Sequence, residues 1–190
     1  MANPSSSLAL MRTGFERFLA AIVIVLLVGM TAVVFGAVVF RKLGASLVWY
    51  DEVASILLAW LTYYGSALAA LKRSHIGFPG LIAAMPPALR LPVVILAEVI
   101  VIGFFVLLAW VGIEVLGYLE GLTLVSLPWV PVWFTQSVIP IGAVLFIIAE
   151  LMNLPEILRE ARGHGPIHDP EIPAELLNPD LVKDARGAER

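Results

Sequence analysis

FLAAIVIVLLVGMTAVVFGAVVF, from Phe18 to Phe40, decides how the rest of the chain reads. It holds 23 residues without a charge, and at about 1.5 Å of helical rise per residue that crosses roughly 30 Å of hydrocarbon. A secretory signal has a shorter apolar region of roughly 7–15 residues followed by a small-residue cleavage site. This run closes on Arg41 and Lys42 instead, so it reads as a retained first span. Three further apolar stretches, 53–71, 91–115 and 129–152, are long enough to follow it across. The expected architecture is an all-α membrane protein: a four-helix transmembrane bundle over 18–154, an N-terminal arm over 1–17 and a polar tail over 155–190.

Composition agrees. Of 190 residues, 60% are hydrophobic and 14% charged, with a mean hydropathy of +0.94; soluble domains are roughly a quarter charged. The chain leaves no room for a soluble catalytic domain. The net charge of −3 includes a mixed-charge tail and points to no nucleic-acid partner. Zero cysteines exclude disulfides, thioether-linked haem and thiolate metal sites.

Orientation follows from the basic residues. Four spans put both termini on one side, together with the connection between spans two and three. That side collects Arg12, Arg17, Lys72, Arg73, Arg90, Arg159 and Arg162, against Arg41 and Lys42 opposite, which predicts cytoplasmic termini. Trp49, Tyr50, Trp110, Tyr118, Trp129 and Trp133 fall at the other ends of the spans, where amphipathic rings favour the headgroup layer. The connection 72–90 carries Ile76, Phe78, Leu81, Ile82 and Met85 between prolines and suits a short interfacial segment. The 121–131 stretch reads as a compact irregular entry into span four. Beyond Arg162, repeated Gly and Pro without an apolar face predict a largely disordered tail. His164 and His168 sit at helical spacing, but Gly165 and Pro166 break the helix that a metal pair needs.

Chemistry within the spans is sparse. Glu98 lies about two turns into span three, on the order of 10 Å deep; it reads either as an ion-coupling carboxylate or as a polar contact near the interface. No second acid or base is evident to form a relay with it. Pro140 is expected to kink span four one turn after Thr135 and Gln136. His75 has no nucleophile or base at helical spacing, and phosphate-binding loops are absent, so no enzyme is expected. Packing surfaces are plentiful: Gly29, Ala32 and Gly36 in span one, and Ser55, Ala59, Thr62, Ser66 and Ala69 in span two. Small residues on one face let helices approach closely in lipid, either within this bundle or against another protein. Asp51 reads as an N-cap of span two, with Asp51 and Glu52 at the positive end of its dipole and Lys72 and Arg73 at the negative end.

Trp49-Tyr50-Asp51-Glu52-Val53-Ala54, Trp60, Gly65-Ser66-Ala67-Leu68-Ala69 and Lys72-Arg73-Ser74-His75-Ile76, followed by Met85-Pro86-Pro87, Leu127-Pro128, Val132-Trp133 and Ile139-Pro140-Ile141-Gly142, resemble the pattern of one family. It is the small membrane subunit, DctQ type, of tripartite ATP-independent periplasmic (TRAP) transporters, and the similarity runs from about Phe15 to Arg159. One departure is Gly77-Phe78-Pro79, where the family often carries an acid. The resemblance implies an inner-membrane scaffold, without cofactor, for a large TRAP membrane subunit that moves an organic acid with sodium after delivery by a periplasmic substrate-binding protein. It also makes Trp49, Asp51, Glu52, Trp60, Gly65, Lys72, Arg73, His75, Pro140 and Gly142 candidate subunit contacts. The alternative is a self-sufficient transporter or channel acting as a homo-oligomer, for which Glu98 is the main candidate residue.

Overall fold

The computed structural model describes residues 4–73 and 86–162. Within them the chain is helical, and four stretches are long and apolar enough to cross a membrane: Leu10–Lys42, Tyr50–Leu71, Leu89–Tyr118 and Val132–Ala161. The helices are α1 (Pro4–Lys42), α2 (Tyr50–Leu71), α3 (Pro87–Tyr118), the short α4 (Val132–Gln136) and α5 (Val138–Ala161). α4 and α5 together make the fourth span. The expected interfacial segment and C-terminal tail lie mainly at 74–85 and 163–190, outside the described residues.

Local chemistry sets the ends. α1 stops in a Schellman arrangement: Gly44 has φ +83°, its N–H donates to the Arg41 carbonyl, and the Ala45 N–H donates to that of Phe40. Glycine takes this left-handed turn without a Cβ penalty. α2 ends similarly, the Arg73 N–H donating to the Ala70 carbonyl, but there the left-handed residue is Arg73 itself, at φ 54°. α3 opens on Pro87, whose fixed φ suits a first helical turn and whose missing N–H would have had no intrahelical partner. The start of α2 departs from expectation. Trp49 occupies the N-cap without a side-chain bond, and Asp51 is an exposed residue within the first turn, so it acts through the dipole and not as a cap.

The fourth span breaks at Ser137, three residues ahead of Pro140. Proline has no N–H to give the carbonyl four residues earlier, and its ring crowds that carbonyl; the irregularity therefore falls upstream of it. The Ser137 N–H donates to Phe134, and the helix restarts with the Ile141 N–H on the Ser137 carbonyl.

The spans pack in a row: α1 against α2, α2 against α5, and α5 against α3. The core lies toward the end that holds the start of α1 and the end of α5. Leu19, Ala67, Ala70, Leu71, Phe146 and Ala149 are buried there, with Phe15, Tyr64, Phe105 and Met152 closing around them. Phe105 of α3 stacks on Phe146 of α5 at 3.7 Å between ring centroids and 10° between planes.

Candidate functional site

The family-pattern residues gather on α2 and on the elements it touches. At the aromatic end, the Glu52 carboxylate accepts hydrogen bonds from the backbone N–H of Val125 (3.1 Å) and of Ser126 (2.9 Å), and from the Ser126 hydroxyl. One side chain of α2 thereby holds the connection between α3 and α4. Two turns along, the Trp60 indole donates to the Thr135 carbonyl at 2.9 Å. That carbonyl stands at the break in the fourth span, so the indole supplies a donor where helical regularity is lost. Trp60 also packs its ring on Phe134, 5.5 Å between centroids.

At Gly142 the backbones of α2 and α5 approach closely. A Cβ built there would lie 2.7 Å from Tyr63 Cβ and 2.9 Å from Tyr63 Cδ1, a separation that only hydrogen allows. Pro140 serves the neighbouring seam: a Cβ at Gly112 of α3 would meet Pro140 Cδ at 3.1 Å. Gly65 is different. Nothing lies within 4 Å of the corresponding point, so the internal packing of this chain does not require glycine there.

At the opposite end, the last carbonyls of α2 are covered by other helices. Asn153 of α5, fully buried, donates from Nδ2 to Ala70 at 2.8 Å, and Arg12 of α1 donates to Leu71 at 3.2 Å. Ion pairs stand around them: Arg73 with Glu160 through two hydrogen bonds of 2.6 and 2.8 Å, Lys72 with Glu16 at 3.1 Å, and Arg12 with Glu156 at 3.2 Å. The Glu160 hydrogen bond raises the Arg73 pKa above its already high ordinary value. Lys72 and Arg73 are thus tied to α1 and α5. His75 lies outside the described residues; Trp49 is half-buried and Asp51 exposed at the start of α2.

Glu98 is the deep carboxylate of the third span. It is half-buried on α3, with Oε2 enclosed and unbonded among the described residues. Among the described residues no three His, Cys, Asp or Glu side chains converge as metal ligands.

The small-residue faces are not what holds the four spans together. A Cβ at Gly29 or Gly36 meets nothing within 4 Å, and Ala32 is exposed. On α2, Ser55, Ala59 and Thr62 are exposed, while the residues that pack inward are Tyr63, Ala67, Ala70 and Leu71. Ser55 and Thr62 turn their hydroxyls back onto the Glu52 and Leu58 carbonyls, which satisfies them without any neighbour. Ser66 and Ala69, further along α2, are half-buried; the rest of these faces looks outward.

Comparison with known proteins decides what kind of membrane protein this is. Residues 30–160 match the family described as Tripartite ATP-independent periplasmic transporters, DctQ component. The chain belongs to the DctQ family. The match takes in the last third of α1, all of α2 and α3, and the fourth span almost to its end, including Glu52, Trp60, Gly65 and Gly142. No curated protein matches the chain. As a DctQ component it is the small permease subunit of a TRAP transporter, a multi-pass inner-membrane protein from a family of transporter subunits, not of enzymes. Members of the family work with a large membrane subunit and a periplasmic binding protein.

Proposed function

We propose that this subunit is a fixed scaffold that braces the large membrane subunit during sodium-driven, binding-protein-dependent uptake of an organic acid, and that it carries no substrate itself. The observation that supports this reading is the outward direction of the small-residue faces of α1 and α2, on spans packed in an open row. Apolar helices gain nothing from leaving lipid, so close backbone approach at small residues is what brings another bundle against them. Both termini are cytoplasmic in this reading, following the excess of Lys and Arg at the Arg12 and Arg159 end.

Reconstitution tests the proposal. Vesicles containing this chain alone show no substrate flux under a sodium gradient; adding the large subunit and the loaded binding protein restores it, and Glu98→Gln leaves the restored flux largely unchanged. Sodium-driven uptake by the isolated chain, abolished by Glu98→Gln, refutes the scaffold and favours a self-sufficient homo-oligomeric transporter. Orientation is read separately from Ser46→Cys, Ser74→Cys and Thr123→Cys in a chain with no native cysteine: an impermeant reagent outside labels the first and third and spares the second.

A further inference from the structure

The connection between α3 and α4 combines an apolar tip with a backbone that has little use for water. Val125 is 93% exposed, Trp129 77% and Leu122 52%. In a water-facing loop, exposed amides are ordinarily left to solvent. Here the backbone is closed on itself and on α2. Residues 122–132 contain two prolines and hence nine N–H groups. Six of these donate within the protein: Leu122 to Leu119, Leu124 to Val130, Val130 to Leu127 and Val132 to Leu122, with Val125 and Ser126 bound to Glu52. Thr123 and Pro131 pair across the connection. Backbone satisfaction of this kind is what a low-polarity surrounding demands.

Position and charge name the surrounding. The connection leaves one candidate span at Tyr118 and enters the next at Val132, and its apolar surface runs on into exposed Trp133 and Phe134 at the start of the fourth span. Residues 119–131 contain no Lys or Arg, and Glu120 is their single acid; the carboxylate of Glu52 is occupied by the amides it binds. We propose that this connection is a membrane anchor, its Val125–Trp129 tip seated in the lipid headgroup and glycerol layer and held in shape by Glu52. Indole rings favour that layer, and an anchor there fixes the entry of the broken fourth span relative to the membrane plane. The inference rests on the bilayer setting and not on the scaffold reading.

Spin labels on the full-length chain in lipid nanodiscs test it. A nitroxide at Val125→Cys is compared with one at Val106→Cys, exposed in the middle of α3, and one at Ser46→Cys in the exposed connection after α1. The Val125 label is expected to collide with oxygen more, and with a water-soluble nickel complex several-fold less, than the Ser46 label, while falling short of the depth of Val106. Glu52→Ala raises both the mobility and the nickel accessibility of the Val125 label, and the milder Glu52→Gln does so to a smaller extent in a chain that retains one acceptor oxygen. Nickel accessibility at Val125 equal to that at Ser46 puts the tip in water, free for a protein partner, and overturns the proposal. A Val125 label unmoved by either Glu52 substitution overturns the part assigned to Glu52.

Discussion

Gly142→Ala is the sharpest probe of the α2–α5 seam. The added methyl would sit 2.7 Å from Tyr63 Cβ, 2.9 Å from Cδ1 and 3.1 Å from Cγ. Carbon atoms rest at about 3.5–4.0 Å, so the two helices must separate by roughly 1 Å. Rotating the Tyr63 ring cannot relieve this, because the closest atom is fixed to the α2 backbone. Overpacking a close-packed contact costs about 1–3 kcal/mol, and the loss is felt along the seam, where Trp60 must still reach Thr135 and Asn153 must still reach Ala70. Gly65→Ala is the matched control: its methyl meets nothing within 4 Å, and replacing a helical glycine gains up to about 1 kcal/mol. Reversible unfolding of the purified chain in mixed micelles, followed by tryptophan fluorescence, gives the comparison. Tyr63→Ala keeps the clashing Cβ and is expected not to rescue Gly142→Ala, whereas Tyr63→Gly shows favourable coupling with it in a double-mutant cycle. If Gly142→Ala unfolds at the same denaturant fraction as Gly65→Ala, the argument from close approach is wrong.

Three further outcomes follow from the same geometry. Arg73→Ala, which removes two charged hydrogen bonds to Glu160, is expected to cost about 1.5–3 kcal/mol in micelle unfolding; Arg73→Gly loses the same bonds but relieves the left-handed φ of 54°, and is expected to be more stable than the alanine variant by about 1 kcal/mol. Trp60→Phe keeps a ring beside Phe134 but frees the Thr135 carbonyl, with an expected loss of about 0.5–1.5 kcal/mol. Gly29→Leu with Gly36→Leu is expected not to destabilise the isolated chain, and to gain up to about 1 kcal/mol at each site as helical glycines are replaced, while reducing copurification with the large subunit; unchanged copurification would remove α1 from the proposed interface.

Much of the fold was open to reading from residues alone because crossing a bilayer is mainly a matter of length and apolarity. The first three stretches expected as spans are helical throughout; the fourth becomes helical only from Val132, three residues later than expected, and is interrupted at Ser137, while α1 begins as early as Pro4 and α5 continues to Ala161, since hydropathy marks where hydrocarbon ends, not where hydrogen bonding does. The site was harder. In soluble proteins the inward face of a helix declares itself by apolar periodicity, but in lipid the outward face is apolar too. Hence Gly65 and Gly142 look alike in sequence although one is open and the other is pressed against Tyr63. In the sequence Glu52 reads as a dipole partner of its own helix, and no local signal points to Ser126, 74 residues away. The Asp51 cap failed for a related reason: both acids lie in the first turn, and the cap position is already Trp49.

One signal for the arrangement was present all along in the relative apolarity of the spans. The first and third are the most hydropathic, the second and fourth the least. The row places α2 and the fourth span at its centre and α1 and α3 on its flanks. A flanking helix faces hydrocarbon around most of its circumference and must be apolar nearly all round. A central helix, walled on two sides by neighbours, accommodates Trp60, Tyr63, Asn153 and Glu160 where those neighbours offer partners. The bonds between helices consequently cluster at the two ends: ion pairs and the Asn153 and Arg12 contacts at one, the Glu52 and Trp60 contacts at the other. Between those ends the far half of α1 is left with Gly29, Ala32 and Gly36 facing away from the row. A helix meant only for lipid has no need of glycines there, since larger side chains would bury as well in acyl chains and hold the helix better. Their presence on a flank, not at the centre, is the feature of α1 on which the proposed contact with the large subunit rests.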